Sequence, residues 1–166
     1  MRSVLDLYRI AMHRATPWLG RLLEKRLAQG KEDTERLAER RGEPGIAPRP
    51  SGHLIWLHAA SVGEAQSALI LLDTLLHRNP ALYVLVTTGT VTSAKLMAQR
   101  LPNRAFHQYI PLDHPAWMGR FVDHWKPGLV LWMESELWAN ALSLLGQHGI
   151  PAILINARLS PRSFKR

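Results

Sequence analysis

An α/β fold with a doubly wound parallel sheet is predicted by three features of this 166-residue sequence. Short apolar runs alternate with amphipathic stretches from His53 to Asn156, the connections between them are short, and no internal repeat or low-complexity tract interrupts the rhythm. Strand and helix alternating in this way return to the sheet through right-handed βαβ crossovers, which makes the strands parallel.

The first 42 residues read as helical. Val4, Leu5, Tyr8, Ala11 and Met12 form one apolar stripe. Thr16-Pro17 has the form of an N-cap followed by proline at the first helical position, and Leu19, Leu22, Leu23 and Leu27 supply a second apolar face that Gly30 can end. A third, mostly charged helix is expected from Asp33 to Arg41, stopping at Gly42. Glu43 to Gly52 (EPGIAPRPSG) contains three prolines and reads as a linker or a turn-rich strap.

The alternation then begins. Strands are predicted at His53–His58 (HLIWLH), Leu82–Thr87, Ala105–Ile110, Gly128–Met133 and Ala152–Asn156. Helices are predicted at Glu64–Arg78, Val91–Leu101, Pro115–Trp125 and Leu137–His148. The division is into a basic helical arm with its Pro/Gly linker, residues 1–50, and an α/β domain, residues 51–166.

Composition narrows the function. With 46% apolar residues the chain buries one good core, and with no cysteine it has no disulfide, thiolate metal site or cysteine nucleophile. The formal net charge of +8 points to an anionic partner: nucleic acid, anionic lipid or a phosphorylated substrate. The basic excess sits at the two ends, and residues 158–166 alone carry four basic residues and no acid. Val4–Leu23 is broken by charges, so no membrane-spanning helix is read there, and no cleavable signal pattern is present. Two readings of the arm stand side by side: packing on its own domain, or lying in a membrane interface with Trp18 at headgroup level.

In doubly wound sheets, ligands bind beyond the carboxyl ends of the strands. The first loop there, His58–Glu64, has only Gly63 of the dinucleotide fingerprint but opens a helix whose N-terminus favours negative charge. Ser61 and Glu64 form an S-x-x-E capping box, the ordinary use of both residues. The same carboxylate, at the mouth of a strand, is also placed to take a proton from an attacking hydroxyl. Glu134 ends a buried strand, where a charge needs a basic residue or a ligand as partner, and Arg158 is one candidate. Thr87-Thr88-Gly89-Thr90 is either a threonine N-cap or an anion contact. His58 is a further candidate contact. The histidines show no metal-ligand spacing, and no metal is assigned.

Four segments in order, LHAASVGE (57–64), TTGTVTSA (87–94), LWMESELW (131–138) and INARLSPRS (155–163), resemble those of the lipopolysaccharide Kdo transferases, and ERRGEPGIAPRP (39–50) is similar to the arm of that family. The resemblance implies the N-terminal, Rossmann-like, acceptor-side half of a B-type glycosyltransferase, with no required metal and no cofactor. Such enzymes transfer 3-deoxy-D-manno-octulosonate (Kdo) from CMP-Kdo to a lipid A precursor, lipid IVA. It implies Glu64 as proton acceptor and Glu134 as transition-state stabiliser. The expected substrate contacts are His58, Ser61, Gly63, Thr88 and Arg158. The expected partners are the lipid acceptor and an anionic membrane surface, at the cytoplasmic face of the inner membrane, and not nucleic acid. A separate C-terminal domain is expected to hold the donor, so 1–166 alone is expected to be inactive. The competing expectations are a non-catalytic, anionic-lipid-binding module and another transferase of the same architecture.

Overall fold

The computed structural model describes residues 4–45, 48–133 and 138–156. The elements run α1 (Val4–Arg14), α2 (Thr16–Ala28), a 3-10 turn (Leu37–Arg41), β1 (His53–His58), α3 (Val62–Arg78), β2 (Leu82–Thr88), α4 (Val91–Arg100), β3 (Ala105–Tyr109), α5 (Pro115–Trp125), β4 (Leu129–Met133), α6 (Ala139–Gln147) and β5 (Ala152–Ile155). The sheet is wholly parallel, in the order β3-β2-β1-β4-β5. The chain runs outward from β1 to β3, then crosses back to lay β4 on the other side of β1. Between β1 and β4 lies the switch point at which Rossmann-like sheets open a crevice.

Alternation along the strands feeds two cores. Leu54, Trp56, Leu85, Val130 and Trp132 face α5 and α6, meeting Met118, Phe121, Trp125 and Leu145. Leu57, Val84, Val86 and Leu131 face α3 and α4, meeting Ala65, Ala68, Leu72 and Met97. Burial on both faces explains why β1, β2 and β4 read as continuous apolar runs.

The arm departs from its sequence reading in two places. Thr16 is the first residue of α2 and not its cap, which falls at Ala15. The Thr16 hydroxyl instead donates to His13 O at 2.5 Å and meets His114 Nε2 at 2.9 Å, a partner 98 residues away. The expected helix over 33–41 shrinks to the turn Leu37–Arg41, in which Glu39 and Arg40 are buried. β3 is an edge strand, and this segment closes its free edge. Arg36 Nη2 donates to His107 O at 3.1 Å, Tyr109 N donates to Glu39 Oε2 at 2.7 Å, and Arg40 Nη1 donates to Ile110 O. An edge left open is a template for wrong pairing, and here charged side chains occupy its polar groups. The strap follows: Gly45 N donates to Gln108 Oε1 at 3.1 Å, and Gln108 Nε2 donates to Glu43 O at 2.8 Å.

α1 has no buried residue and is moored by Tyr8, whose hydroxyl donates to Asp113 Oδ2 at 3.0 Å. Asp113 also accepts from Asn140 N and Ala141 N, capping α6. No helix among the described residues is long and apolar enough to cross a membrane.

Candidate active site at the carboxyl ends of the strands

Glu64 sits in the first turn of α3, only 8% exposed. Ser61, the N-cap, accepts from Glu64 N at 3.2 Å and donates its hydroxyl to Glu64 Oε1 at 2.8 Å. Glu64 Oε2 accepts from Ala60 N at 2.8 Å. This differs from the expected capping box, in which the glutamate returns to the backbone N–H of the cap residue itself. The carboxylate reaches one residue further back and also takes the cap's hydroxyl. Each oxygen is held by one donor and keeps lone-pair capacity for another. Ser61 and Gly63 are exposed, and a Cβ built at Gly63 would meet nothing within 4 Å, so the loop is open to close approach.

His58 ends β1 and is 1% exposed. Its Nδ1 lies 2.9 Å from Thr87 Oγ1, which also accepts from Trp56 Nε1 at 2.8 Å. Burial pushes its pKa down to about 3, so the ring is neutral at physiological pH. The Thr87 oxygen thus joins the Trp56 indole to the His58 ring, whose other nitrogen is Nε2. That atom is buried and has no hydrogen-bond partner. The ring lies 4.6 Å from Trp132 and 5.8 Å from Trp138, centroid to centroid.

Thr88, expected to touch substrate, is fully buried, and its hydroxyl bonds His107 Nε2 at 2.9 Å. Arg36 donates to the other nitrogen, His107 Nδ1, at 3.0 Å, which fixes the proton on Nε2 and makes Thr88 the acceptor. In this arrangement Thr88 supports the end of β2 and is closed to a ligand. The N-cap of α4 is Thr90, whose hydroxyl accepts from Ser93 N at 3.1 Å. Glu134 and Arg158, and with them the expected Glu134–Arg158 pair, lie outside the described residues.

A cavity of about 310 Å³ opens at this end of the sheet, lined by Arg26, Arg40, His58, Ala60, Thr90 and Trp138 among others. Ala60 is common to the cavity wall and the clamp on Glu64. Arg26 and Arg40 share one buried partner: Arg26 Nε lies 2.6 Å from Glu32 Oε1 and Arg40 Nε 3.3 Å from Glu32 Oε2. Two arginines on one carboxylate leave a positive charge at the cavity. Sequence reasoning missed Arg26, Arg40 and Trp138, because their neighbours in the fold are remote in the chain. A larger cavity, about 610 Å³, opens at the opposite, amino end of the strands beside Arg49, Arg78 and Lys126. It contains none of the expected site residues and lies where open α/β sheets do not bind their ligands. No group of three or more His, Cys, Asp or Glu side chains that could hold a metal ion occurs among the described residues.

Residues 21–166 match the family described as 3-deoxy-D-manno-octulosonic-acid transferase (kdotransferase). The chain is 39% identical over 163 residues to the "Probable 3-deoxy-D-manno-octulosonic acid transferase, mitochondrial" of Arabidopsis thaliana, covering 98% of this chain and 36% of that protein. It is 40% identical over 140 residues to the 3-deoxy-D-manno-octulosonic acid transferase of Rickettsia bellii, covering 84% of this chain and 33% of the relative. For the Haemophilus influenzae transferase of the same name the values are 41% over 132 residues, 80% and 31%. The chain thus spans about a third of the length of these curated relatives. On the strength of these matches over nearly its whole length, the chain belongs to the 3-deoxy-D-manno-octulosonic-acid transferase family.

Proposed function

We propose that this chain is the acceptor-side part of an enzyme that transfers Kdo from CMP-Kdo to a lipid A precursor, lipid IVA, in lipopolysaccharide inner-core synthesis. The observation that carries the reading is the Glu64 carboxylate. It is held by Ser61 and Ala60 at the carboxyl end of β1, beside the crevice at the sheet's switch point, in a chain of this family.

In this mechanism the acceptor hydroxyl attacks the anomeric carbon of the donor sugar. Its proton passes to Glu64, the new glycosidic C–O bond forms, and the bond from the anomeric carbon to the CMP phosphate oxygen breaks with its electrons leaving on CMP. Glu134, which follows β4 in sequence, is assigned to stabilise charge in the transition state, and Arg158 to contact substrate. The donor is a substrate, no cofactor takes part in this scheme, and CMP-Kdo is held by a C-terminal domain beyond residues 1–166. The isolated chain is therefore expected to be inactive.

Exposed Val4, Leu7 and Trp18 on α1 and α2, with Arg9, Arg14 and Arg21 on the same helices, support a peripheral seat on the anionic, cytoplasmic face of the inner membrane. In the intact enzyme, Glu64→Gln is expected to lower turnover about 10²- to 10⁴-fold, the range of general-base catalysis, with acceptor binding retained. Near-parental turnover in that variant would remove Glu64 from the role of base.

A further inference from the structure

Trp138 stands at the N-cap of α6, and it cannot cap. A capping side chain accepts a hydrogen bond from the second or third helical N–H, whereas an indole has only a donor. No side-chain bond closes the turn from that position. The missing acceptor is Asp113, on the loop between β3 and α5. Its Oδ2 accepts from Asn140 N at 3.1 Å and its Oδ1 from Ala141 N at 3.0 Å, the two donors that a cap residue would ordinarily take. Asn140, itself buried, adds a third bond, its Nδ2 donating to Asp113 O at 2.6 Å.

Relieved of capping, the Trp138 ring packs 5.8 Å from His58 and 6.4 Å from Trp132 and lines the cavity of about 310 Å³. Ala60 lines the same cavity, and its N–H holds Glu64 Oε2. Asp113 serves the arm as well. Its Oδ2 accepts from the Tyr8 hydroxyl at 3.0 Å, so α1, which buries no residue, is moored on the cap of α6. The next residue repeats the device on the neighbouring helix. His114 caps α5, its Nδ1 accepting from Trp117 N at 3.4 Å, while its Nε2 lies 2.9 Å from Thr16 Oγ1 of α2. Two successive side chains thus each hold one helix of the domain and one of the arm.

We infer that Asp113 is a positioning residue of the candidate active site: it caps α6 from outside so that Trp138 can wall the cavity, and through Tyr8 it ties α1 to that wall. The role rests on reading the carboxyl ends of the strands as the site of sugar transfer. Asp113 does not line the cavity, so it acts through Trp138 and not on a substrate. Such action is consequential, because a misplacement of about 1 Å can cost on the order of a hundredfold in rate.

Two measurements test it. In the full chain labelled with nitrogen-15, Trp138→Phe identifies the Trp138 indole N–H signal among those of the six tryptophans. Asp113→Ala and Tyr8→Phe are each expected to shift that signal, Tyr8→Phe by less because the bonds to α6 remain. Asp113→Asn keeps an accepting oxygen and is expected to leave the signal near its parental place. Thr16→Val cuts the arm only from the cap of α5 and should leave Trp138 unmoved. In the intact enzyme, Asp113→Ala is expected to lower kcat/KM for the acceptor about tenfold, with Asp113→Asn recovering most of the loss. In a Trp138→Ala background the same substitution should cost less than about twofold, since residues acting as a unit are not additive. A cap serving stability alone would leave kcat/KM of the folded enzyme unchanged, or lower it by one factor in both backgrounds. Either of those results would overturn the role, as would an indole unmoved by Asp113→Ala or Tyr8→Phe, or moved as far by Thr16→Val. The indole signal is read without turnover, so it can fail while Glu64 remains the base, and Glu64→Gln can keep its turnover while the role of Asp113 stands.

Discussion

Ser61 and Glu64 hold each other across the first turn of α3, the hydroxyl of Ser61 donating to Glu64 Oε1 at 2.8 Å while accepting from Glu64 N at 3.2 Å. One serine therefore caps the helix and also orients the carboxylate proposed as the base. Ser61→Ala is expected to cost about 1 kcal/mol of stability, the usual loss at an N-cap. It should also lower kcat of the intact enzyme roughly tenfold to a hundredfold by releasing the aim of Glu64, with KM for the acceptor little changed. Ser61→Thr keeps a capping hydroxyl and is expected to recover most of both losses. Denaturant unfolding and steady-state kinetics read the two effects separately. A Ser61→Ala enzyme with parental kcat would confine this residue to capping.

Gly42 joins the arm to the domain at a point where no side chain fits. Its φ is +78°, and a Cβ there would fall 1.8 Å from Trp117 O of α5. A left-handed conformation alone costs a non-glycine residue about 1–3 kcal/mol, and the backbone contact adds to it. Gly42→Ala is expected to destabilise the chain by at least about 2 kcal/mol. Gly63→Ala, where a Cβ meets open space, should fall within about 0.5 kcal/mol of the parent, inside the ordinary surface range. Urea unfolding of the two variants compares them directly.

What the sequence made legible follows from where each residue finds its partners. Strands β1, β2 and β4 were readable because their apolar runs are buried on both faces of one sheet, β5 by its apolar run alone although it is exposed, and the ends of strands and helices shift by no more than about two residues in the described parts. The Ser61–Glu64 cap was readable because it closes within four residues. The charged stretch over 33–41 was misread as a helix because its partners, the free polar groups of β3, exist only once the sheet is formed. Thr16 looked like a cap because its true partner, His114, lies on the far side of the sequence. Thr88 looked available because nothing local shows that His107 covers it. The same remoteness hid the Arg26–Glu32–Arg40 cluster. No local pattern separates a buried arginine from a solvated one.

His58 and His107 make stability fall in mild acid. Burial pushes each pKa down to about 3, with Arg36 adding to the effect at His107 and Arg40 at His58. An unfolded histidine takes up a proton near pH 6.5, and these two do not while folded. Their contribution is therefore fully present above about pH 6.5 and is lost as pH falls toward 3. The slope is up to about 1.4 kcal/mol per pH unit for each histidine over that window. Denaturant midpoints at pH 7.5, 6.0 and 5.0 are expected to decline in that order. His107→Gln should flatten the decline, since glutamine cannot take up the proton in the unfolded chain. A variant with the parental pH slope would show that another group sets it.

The arm offers a surface test that leaves the fold intact. Removing residues 1–50 would strip Glu39, Arg40 and Gly45 from β3 and reopen its edge, so loss of binding by a truncated chain would be ambiguous. Val4 and Trp18, 83% and 72% exposed, carry apolar area that contributes nothing to the core. A double variant, Val4→Ser with Trp18→Ser, should leave the unfolding midpoint where it is. If α1 and α2 lie in the headgroup layer, each buried side chain contributes on the order of 1.5–3 kcal/mol to partitioning. Co-sedimentation with vesicles containing anionic lipid should then weaken at least about tenfold. The parent should also bind neutral vesicles less well than anionic ones, because basic residues near an anionic surface add about 1 kcal/mol each. Equal sedimentation of parent and double variant would assign the arm wholly to its own domain, with the guarding of β3 as its purpose.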